Sequence, residues 1–257
     1  MHKLLFALAA LAVALPTTVQ ALTPAETLAL LKEQDLRQQQ TGDYQALAFI
    51  ERKEKDKNDL VYEAVVYRRD ETDKLVILFL QPKEEAGKGY LRIDKSMFFY
   101  DPTVGKWERK TERERIAGTD SRRQDFDESR LAEEYDAKWI GDVKLGRLEA
   151  HHLELKAKPG VDVAYPVLQL WIDKKDHNLL KRQEFALSGR LMRTQYFPKW
   201  TKLYSESKKG DVWIPKEQRI FDEVEKGNKT TIVIRSVDLK PVSDAYFTKA
   251  WLESKSR

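Results

Sequence analysis

The 257-residue chain contains no cysteine. No disulfide can form, no thiolate zinc site can be built, and no cysteine nucleophile or lipid-bearing N-terminal cysteine is available. Histidine is nearly as scarce, with four residues, and His2 falls in the leader described below. His151 and His152 are adjacent in a stretch that reads as a strand, so their side chains take opposite faces and do not chelate one ion together. His177 sits in a turn. The Gly-x-Ser-x-Gly elbow of serine hydrolases is missing. Gly87-Lys88-Gly89 joins two strand-like stretches, whereas a phosphate-cradling loop leads from a strand into a helix. These absences weaken any reading as an enzyme. Beyond the N-terminus no stretch approaches 18 apolar residues, so a soluble remainder is expected.

The N-terminus itself reads as a secretory signal peptide over residues 1–21, cleaved on export. Lys3 supplies the positive start, residues 4–15 are apolar throughout, and Val19-Gln20-Ala21 is a small-residue cleavage site. An uncleaved anchor is the alternative. Residues 22–257 are then a single domain, because no linker-like stretch divides them. Without residues 1–21 the chain carries 45 basic against 42 acidic residues. That balance excludes the clustered basic excess of a nucleic-acid binder.

What is present is mostly strand signal. Thr23-Pro24-Ala25-Glu26 is a capping box with proline at the first helical position, and it predicts a helix over 23–40 with Ala25, Leu28 and Leu31 on one face. Alternation of period two then predicts strands at 44–55, 60–69, 74–81, 88–94, 97–100 and around Trp107. It resumes at 135–144, 147–157, 166–173, 179–187, 190–205, 212–224 and 229–239. A closing helix is expected over 243–253, capped by Ser243 or Asp244. We take this as about ten or eleven antiparallel strands, an α+β chain dominated by β. A sheet of that size must curl or close, and helices are available to cover its concave face.

Residues 109–134 interrupt the pattern. They are polar and rich in arginine, with a possible short helix from Asp127 to Ala132 capped by Asp127. A connection this long is either a solvated loop or a functional segment. Arg109, Lys110, Arg113, Arg115, Arg122 and Arg123 are the one local basic excess, diluted by Glu108, Glu112 and Glu114. They read as a solvated loop or as a positive rim that meets anionic head groups.

The order of several residues resembles the LolA-like family of exported outer membrane lipoprotein-sorting proteins. The apolar strand ending at Pro82 is followed by Gly87-Lys88-Gly89 with Leu91, then by Phe98-x-Tyr100-x-Pro102, Arg109-Lys110 and Asp125-Phe126. Trp171-Ile172-Asp173 and Arg182 come next, then Gly210, Trp213 and Pro215, and finally Phe247-Thr248. Phe98 stands where the family often has tryptophan. The resemblance spans nearly the whole chain after the signal peptide and rests on aromatics and turn residues.

It implies an incomplete antiparallel β-barrel covered by helices, a LolA-like half-barrel with a hydrophobic cavity. It implies a soluble periplasmic carrier that binds lipoprotein acyl chains or another lipid, with no cofactor and no metal. Its implied partners are an inner-membrane transporter of the MMPL/RND or ABC type and an outer-membrane acceptor. The family's lid-latching arginine is assigned to no position here. Burying each methylene is worth about 0.8 kcal/mol, so one long acyl chain represents roughly 10 kcal/mol of water avoidance and needs an enclosed carrier.

On this reading the helix at 23–40 and residues 117–132 form a lid. Leu60, Tyr62, Ile77, Phe79, Leu91, Ile93, Phe98, Tyr100, Leu168, Leu170 and Ile172 line the concave face. Each could equally be plain core. Whether Phe98 and Tyr100 or Met97 and Phe99 point inward depends on strand register. Two other readings stay open: a lipid-sensing module that regulates a membrane partner, and a hydrolase acting on an envelope lipid.

Overall fold

The computed structural model of the chain describes residues 21–39, 41–111 and 113–256. The expected signal peptide therefore lies, apart from Ala21, outside the described residues. Among those residues no helix is long and apolar enough to cross a membrane.

One helix leads into a single antiparallel sheet. Helix α1 (Pro24–Gln39) starts at the expected capping box, where the Thr23 amide donates to Glu26 Oε2 at 2.8 Å and the Glu26 amide to Thr23 Oγ1 at 3.2 Å. Its buried face is rotated from the expected one. Thr27, Leu30, Leu31, Gln34 and Asp35 are buried, while Ala25 and Leu28 are exposed. Both stripes have helical spacing, so periodicity alone does not choose between them.

The strands are β1 (Tyr44–Lys53), β2 (Leu60–Arg69), β3 (Lys74–Gln81), β4 (Gly89–Ile93), β5 (Ser96–Asp101), β6 (Lys106–Lys110), β7 (Tyr135–Leu145), β8 (Leu148–Ala157), β9 (Val167–Asp173), β10 (Leu179–Phe185), β11 (Leu191–Ser205), β12 (Gly210–Asp222) and β13 (Lys229–Asp238). They number thirteen, so the expected ten or eleven is too few. Each of the thirteen stretches marked by alternation forms a strand, the short ones included, so the shortfall lies in the total alone. Tight turns let pieces as short as five residues, β4 and β6, pair in full register with β5.

The strand order is β6-β5-β4-β3-β2-β1-β13-β12-β11-β10-β9-β8-β7, open at both ends. The topology explains the long connection. β6 and β7 are consecutive in the chain yet form opposite edges of the sheet. Residues 111–134 must therefore travel from one edge to the other. They contact β4, β11, β12 and β13 on one face, through Arg92, Arg193, Asp222 and Thr230. A flat sheet could not offer strands so far apart to one short segment. The sheet is curled around it, as twisted sheets of this size must be.

Helix α2 (Leu131–Glu134) ends the crossing. Its cap differs from the expected Asp127. Asp35 of α1 accepts from the Leu131 amide at 2.8 Å, the Ala132 amide at 2.9 Å and the Ser129 hydroxyl at 2.5 Å. Asp127 instead receives Arg92 at 2.6 Å. The chain closes with a 3-10 turn (Asp244–Tyr246) capped by Ser243 and helix α3 (Lys249–Lys255) capped by Thr248. This splits the single helix expected over 243–253.

Candidate functional site

The inner, concave face of the first half of the sheet is apolar and aromatic. Antiparallel pairing places Val66, Ile77, Tyr90 and Phe99 in one cross-strand row over β2 to β5. Tyr62 and Phe79 join them, with ring centroids 5.6 Å apart for Tyr62–Phe79, 6.2 Å for Phe79–Tyr90 and 4.9 Å for Tyr90–Phe99. Ala64, Leu75 and Met97 complete the cluster. Its other wall is not a strand. Ile116, Ala117 and Phe126 of the crossing segment fill the groove. The Tyr62 hydroxyl donates to the Ala117 carbonyl at 3.1 Å, and the Ala117 amide donates to the Tyr90 hydroxyl at 2.8 Å. Two phenols thus hold the backbone at the tip of a small hairpin, Arg115 to Arg122.

The second half of the sheet offers a separate apolar floor. Leu168, Leu170 and Ile172 of β9 cluster with Leu153 and Leu155 of β8, under Leu30 and Leu31 of α1 and Leu131 of α2. Gln34 Nε2 of α1 donates to the His177 carbonyl at 2.8 Å, and Arg37 Nη1 to Asn178 Oδ1 at 2.7 Å, so the helix is tied to the β9–β10 turn.

The eleven residues expected on one concave face therefore divide. Tyr62, Ile77, Phe79, Leu168, Leu170 and Ile172 lie in the two inner clusters. Leu91, Ile93, Phe98 and Tyr100 do not. Leu91 is in register with Val76 and Phe98, on the outer face, where Leu91, Ile93 and Tyr100 cluster with Val242, Phe247, Trp251 and Leu252 of the C-terminal segment. Lys249 Nζ sits 4.7 Å from the Phe98 ring centre. Leu60 is 39% exposed at the start of β2 and joins neither cluster. The register places Met97 and Phe99 inward, the other of the two pairs weighed. Tyr90, beside Phe99 in this row, is the residue the sequence reading leaves out. Cross-strand parity with Ile77 is the signal that finds Tyr90 and selects Phe99, once the turn at Asp94-Lys95 fixes the pairing.

The C-terminal cover also explains Gly89. A Cβ there would fall 2.7 Å from the Ile77 carbonyl oxygen and 2.9 Å from Leu252 Cδ1, so only glycine lets α3 lie this close.

Between the two inner floors runs a buried polar network. Arg193 of β11 is 2% exposed. Its Nε donates to Glu184 Oε2 at 2.7 Å, its Nη1 to Asp125 Oδ2 and the Asp120 carbonyl at 2.9 Å each, and its Nη2 to Asp125 Oδ1 at 2.5 Å. Glu184 is fully buried and also meets Arg182 at 2.9 Å and Gln195 at 3.0 Å. Burial opposes the Arg193 charge, but Asp125 and Glu184 outweigh it and hold its pKa well above the usual arginine value. Asp120 accepts from the Thr230 hydroxyl at 2.9 Å, and burial pushes its carboxyl up against the pull of Thr230 and Arg115.

Two further ties flank this network. Arg115 Nη2 reaches Asp222 at 2.7 Å. Arg92, 3% exposed on β4, donates to the Phe126 carbonyl at 2.9 Å and to Asp127, and pairs with Asp73 at 2.7 Å. Three basic residues of the crossing segment are thus turned inward. Arg115 and Arg123 meet acids, and Arg122 lies 5.9 Å from the Tyr165 ring centre. Neither a solvated loop nor an outward positive rim describes these three, whereas Arg109 and Arg113 are exposed, as the solvated reading expects.

His151 and His152 take opposite faces. His151 Nδ1 lies 2.7 Å from Asp142, whereas His152 stacks on Trp171 at 4.3 Å and meets Gln169 at 3.1 Å. Among the described residues no three histidines or acids are grouped to hold a metal. Two surface pockets of about 500 and 550 Å³ are lined mainly by charged residues, one between α1 and the crossing segment and one beside the β1–β2 turn.

A family model described as an uncharacterized protein matches residues 71–254. Solved structures share the fold. A domain from Vibrio parahaemolyticus described as an outer membrane lipoprotein-sorting protein superposes with a TM-score of 0.74 at 18% identity, covering 90% of this chain and 100% of that one. A DUF1329 family protein from Desulfovibrio piger gives 0.74 at 19% identity over 88% and 99%. A LolA superfamily protein from Nitrosomonas europaea gives 0.68 at 17% identity over 88% and 98%. At these identities the likeness is one of fold. No curated protein matches the chain.

Proposed function

We propose that this chain, which belongs to the family matched over residues 71–254 and has the incomplete-barrel fold of the LolA superfamily, is a non-enzymatic carrier of acyl chains. It works in the periplasm after export. It takes a lipoprotein or another lipid from an inner-membrane transporter and delivers it to an outer-membrane acceptor.

One observation carries this reading. The aromatic groove of Tyr62, Ile77, Phe79, Tyr90 and Phe99 is filled by Ile116, Ala117 and Phe126, side chains of a connecting segment rather than of a packed layer. The segment is held to the sheet by side-chain hydrogen bonds and ion pairs and not by a strand ladder, so it can leave as a unit with the sheet intact. Its departure would open the groove to a ligand that buries the same surface. Leu168, Leu170 and Ile172 beneath α1 form the second floor along which a chain would lie. The other structures of this fold, one of them described as lipoprotein-sorting, are in keeping with it.

Native mass spectrometry of the protein purified from its own cell envelope tests the proposal, followed by transfer of bound lipid between donor and acceptor vesicles. We expect co-purified lipid and transfer that depends on the protein. Binding without transfer would favour a lipid-sensing module that regulates a membrane partner. Absence of both lipid and acyl-probe uptake would overturn the carrier.

A further inference from the structure

We propose that the ligand is an amphiphile with an anionic head group, a carboxylate or phosphate that takes the place of Asp125 on Arg193. The inference rests on the carrier reading and names the chemistry of its cargo. The crossing segment occupies the site as a ligand would. It lays Ile116, Ala117 and Phe126 into the aromatic groove and seats a carboxylate, Asp125, on the fork of Arg193. Apolar body and anionic group are supplied by residues 116–126 of one segment.

The donor inventory at Arg193 gives the argument its force. Glu184 holds one side of the guanidinium through Nε at 2.7 Å and Nη2 at 3.2 Å, and it belongs to the sheet. Every acceptor on the other side belongs to the crossing segment: both Asp125 oxygens and the Asp120 carbonyl. When the segment leaves, Glu184 stays and the outward N–H groups lose all three hydrogen bonds. A buried guanidinium left this way is costly, and an acyl tail offers it nothing. Two oxygens on one carbon or phosphorus match the fork that Asp125 fills.

The position is also right for a head group beside a tail. The Arg193 guanidinium lies 5.9 Å from the Tyr165 ring centre, and Tyr165 belongs to the floor of Leu168 and Leu170. Asp222, the register partner of Arg193, is an acid of the sheet beside the vacated side. One of its oxygens is held by the Val224 and Glu225 amides at 2.9 Å each.

Paired probes test this: a pyrene-labelled dodecanoate against its methyl ester at about pH 8, where the carboxylate is ionised, with dodecyl phosphate and inorganic phosphate as competitors. The ionised probe should bind at least about tenfold more tightly than the ester, the worth of one charged hydrogen-bonded contact. Dodecyl phosphate should compete and inorganic phosphate should not. Arg193→Gln should abolish the preference. Should that variant not fold, Asp125→Asn decides, since it should tighten binding of both probes and keep the preference. Equal binding of acid and ester by the wild type overturns the anionic head group and leaves the carrier standing. Competition by inorganic phosphate alone overturns the amphiphile. Binding of neither probe overturns the carrier reading, and this inference with it.

Discussion

Arg193 and Asp125 stand 68 residues apart in the chain and meet in a two-pronged contact, Nη1 to Oδ2 at 2.9 Å and Nη2 to Oδ1 at 2.5 Å. One residue belongs to the middle of the sheet, the other to the segment that crosses it. The contact makes the closed state of the groove depend on a buried charge. It also sets an order of costs. Removing Arg193 leaves Glu184 and Asp125 facing each other without their shared cation, whereas removing the Asp125 charge leaves Arg193 paired with Glu184. Arg193→Gln should cost about 3–5 kcal/mol in urea denaturation and Asp125→Asn distinctly less. The reverse order would mean that Glu184 is satisfied without Arg193.

The two tyrosine contacts to Ala117 act at the other end of the segment. Tyr62→Phe and Tyr90→Phe each remove one hydrogen bond to its backbone, worth about 1 kcal/mol. Hydrogen exchange should quicken over residues 113–126 while β2 and β3 keep their protection. Equal acceleration in the strands would show that the segment opens only with the whole sheet.

Inner and outer faces separate cleanly in a third comparison. Ile77→Ala and Leu91→Ala both empty buried volume and should each cost about 2–5 kcal/mol. Only Ile77→Ala should weaken acyl-probe binding by the folded protein, because Leu91 lies under the C-terminal helix. Loss of affinity in both would place the ligand on the wrong face of this account.

Acid should weaken the fold through His152. Burial first, with Lys181 adding, lowers its pKa below the ordinary 6.5, against the hydrogen bond His152 makes to the Gln169 side-chain oxygen. A base whose pKa is depressed on folding binds fewer protons in the native state. Its neutral form supports stability fully above about pH 6.5, and that support is lost as pH falls toward the depressed value. The thermal midpoint should drop between about pH 7.5 and about pH 5.5, and His152→Gln should shrink the drop. Asp142 and Glu33, whose pKa values are lowered from 3.8 and 4.5, act at more acid pH.

Much of this architecture was readable beforehand, and the reasons are local. The Thr23–Glu26 capping box starts α1 because both reciprocal contacts lie within one turn. Strand positions follow from alternation and turns. The limits come from tertiary choices. Whether Phe98 or Phe99 faces the groove turns on a one-residue register that both patterns satisfy. Leu91 falls on the outer face although β4 is buried on both, covered by the crossing segment's cluster on one and by α3 on the other, so apolar character alone does not assign its side. Arg193 carries no local signal at all. Nothing in the sequence around it announces that Asp125 and Glu184 converge there. The crossing itself is a consequence of strand order, visible only once β6 and β7 are seen to be the two edges.

The central claim is that the crossing segment must leave the groove for a ligand to enter. The chain's lack of cysteine makes a direct test possible. Asp120 and Thr230 are both buried and in side-chain contact at 2.9 Å, one on the segment and one on β13. In the Asp120→Cys, Thr230→Cys double variant the oxidised protein should be stapled shut and the reduced protein free to open. Comparing the two forms of one variant removes any effect of the substitutions themselves. Acyl-probe binding should be lost on oxidation and restored by reductant. Undiminished binding by the fully oxidised form would show that the ligand does not enter beneath this segment.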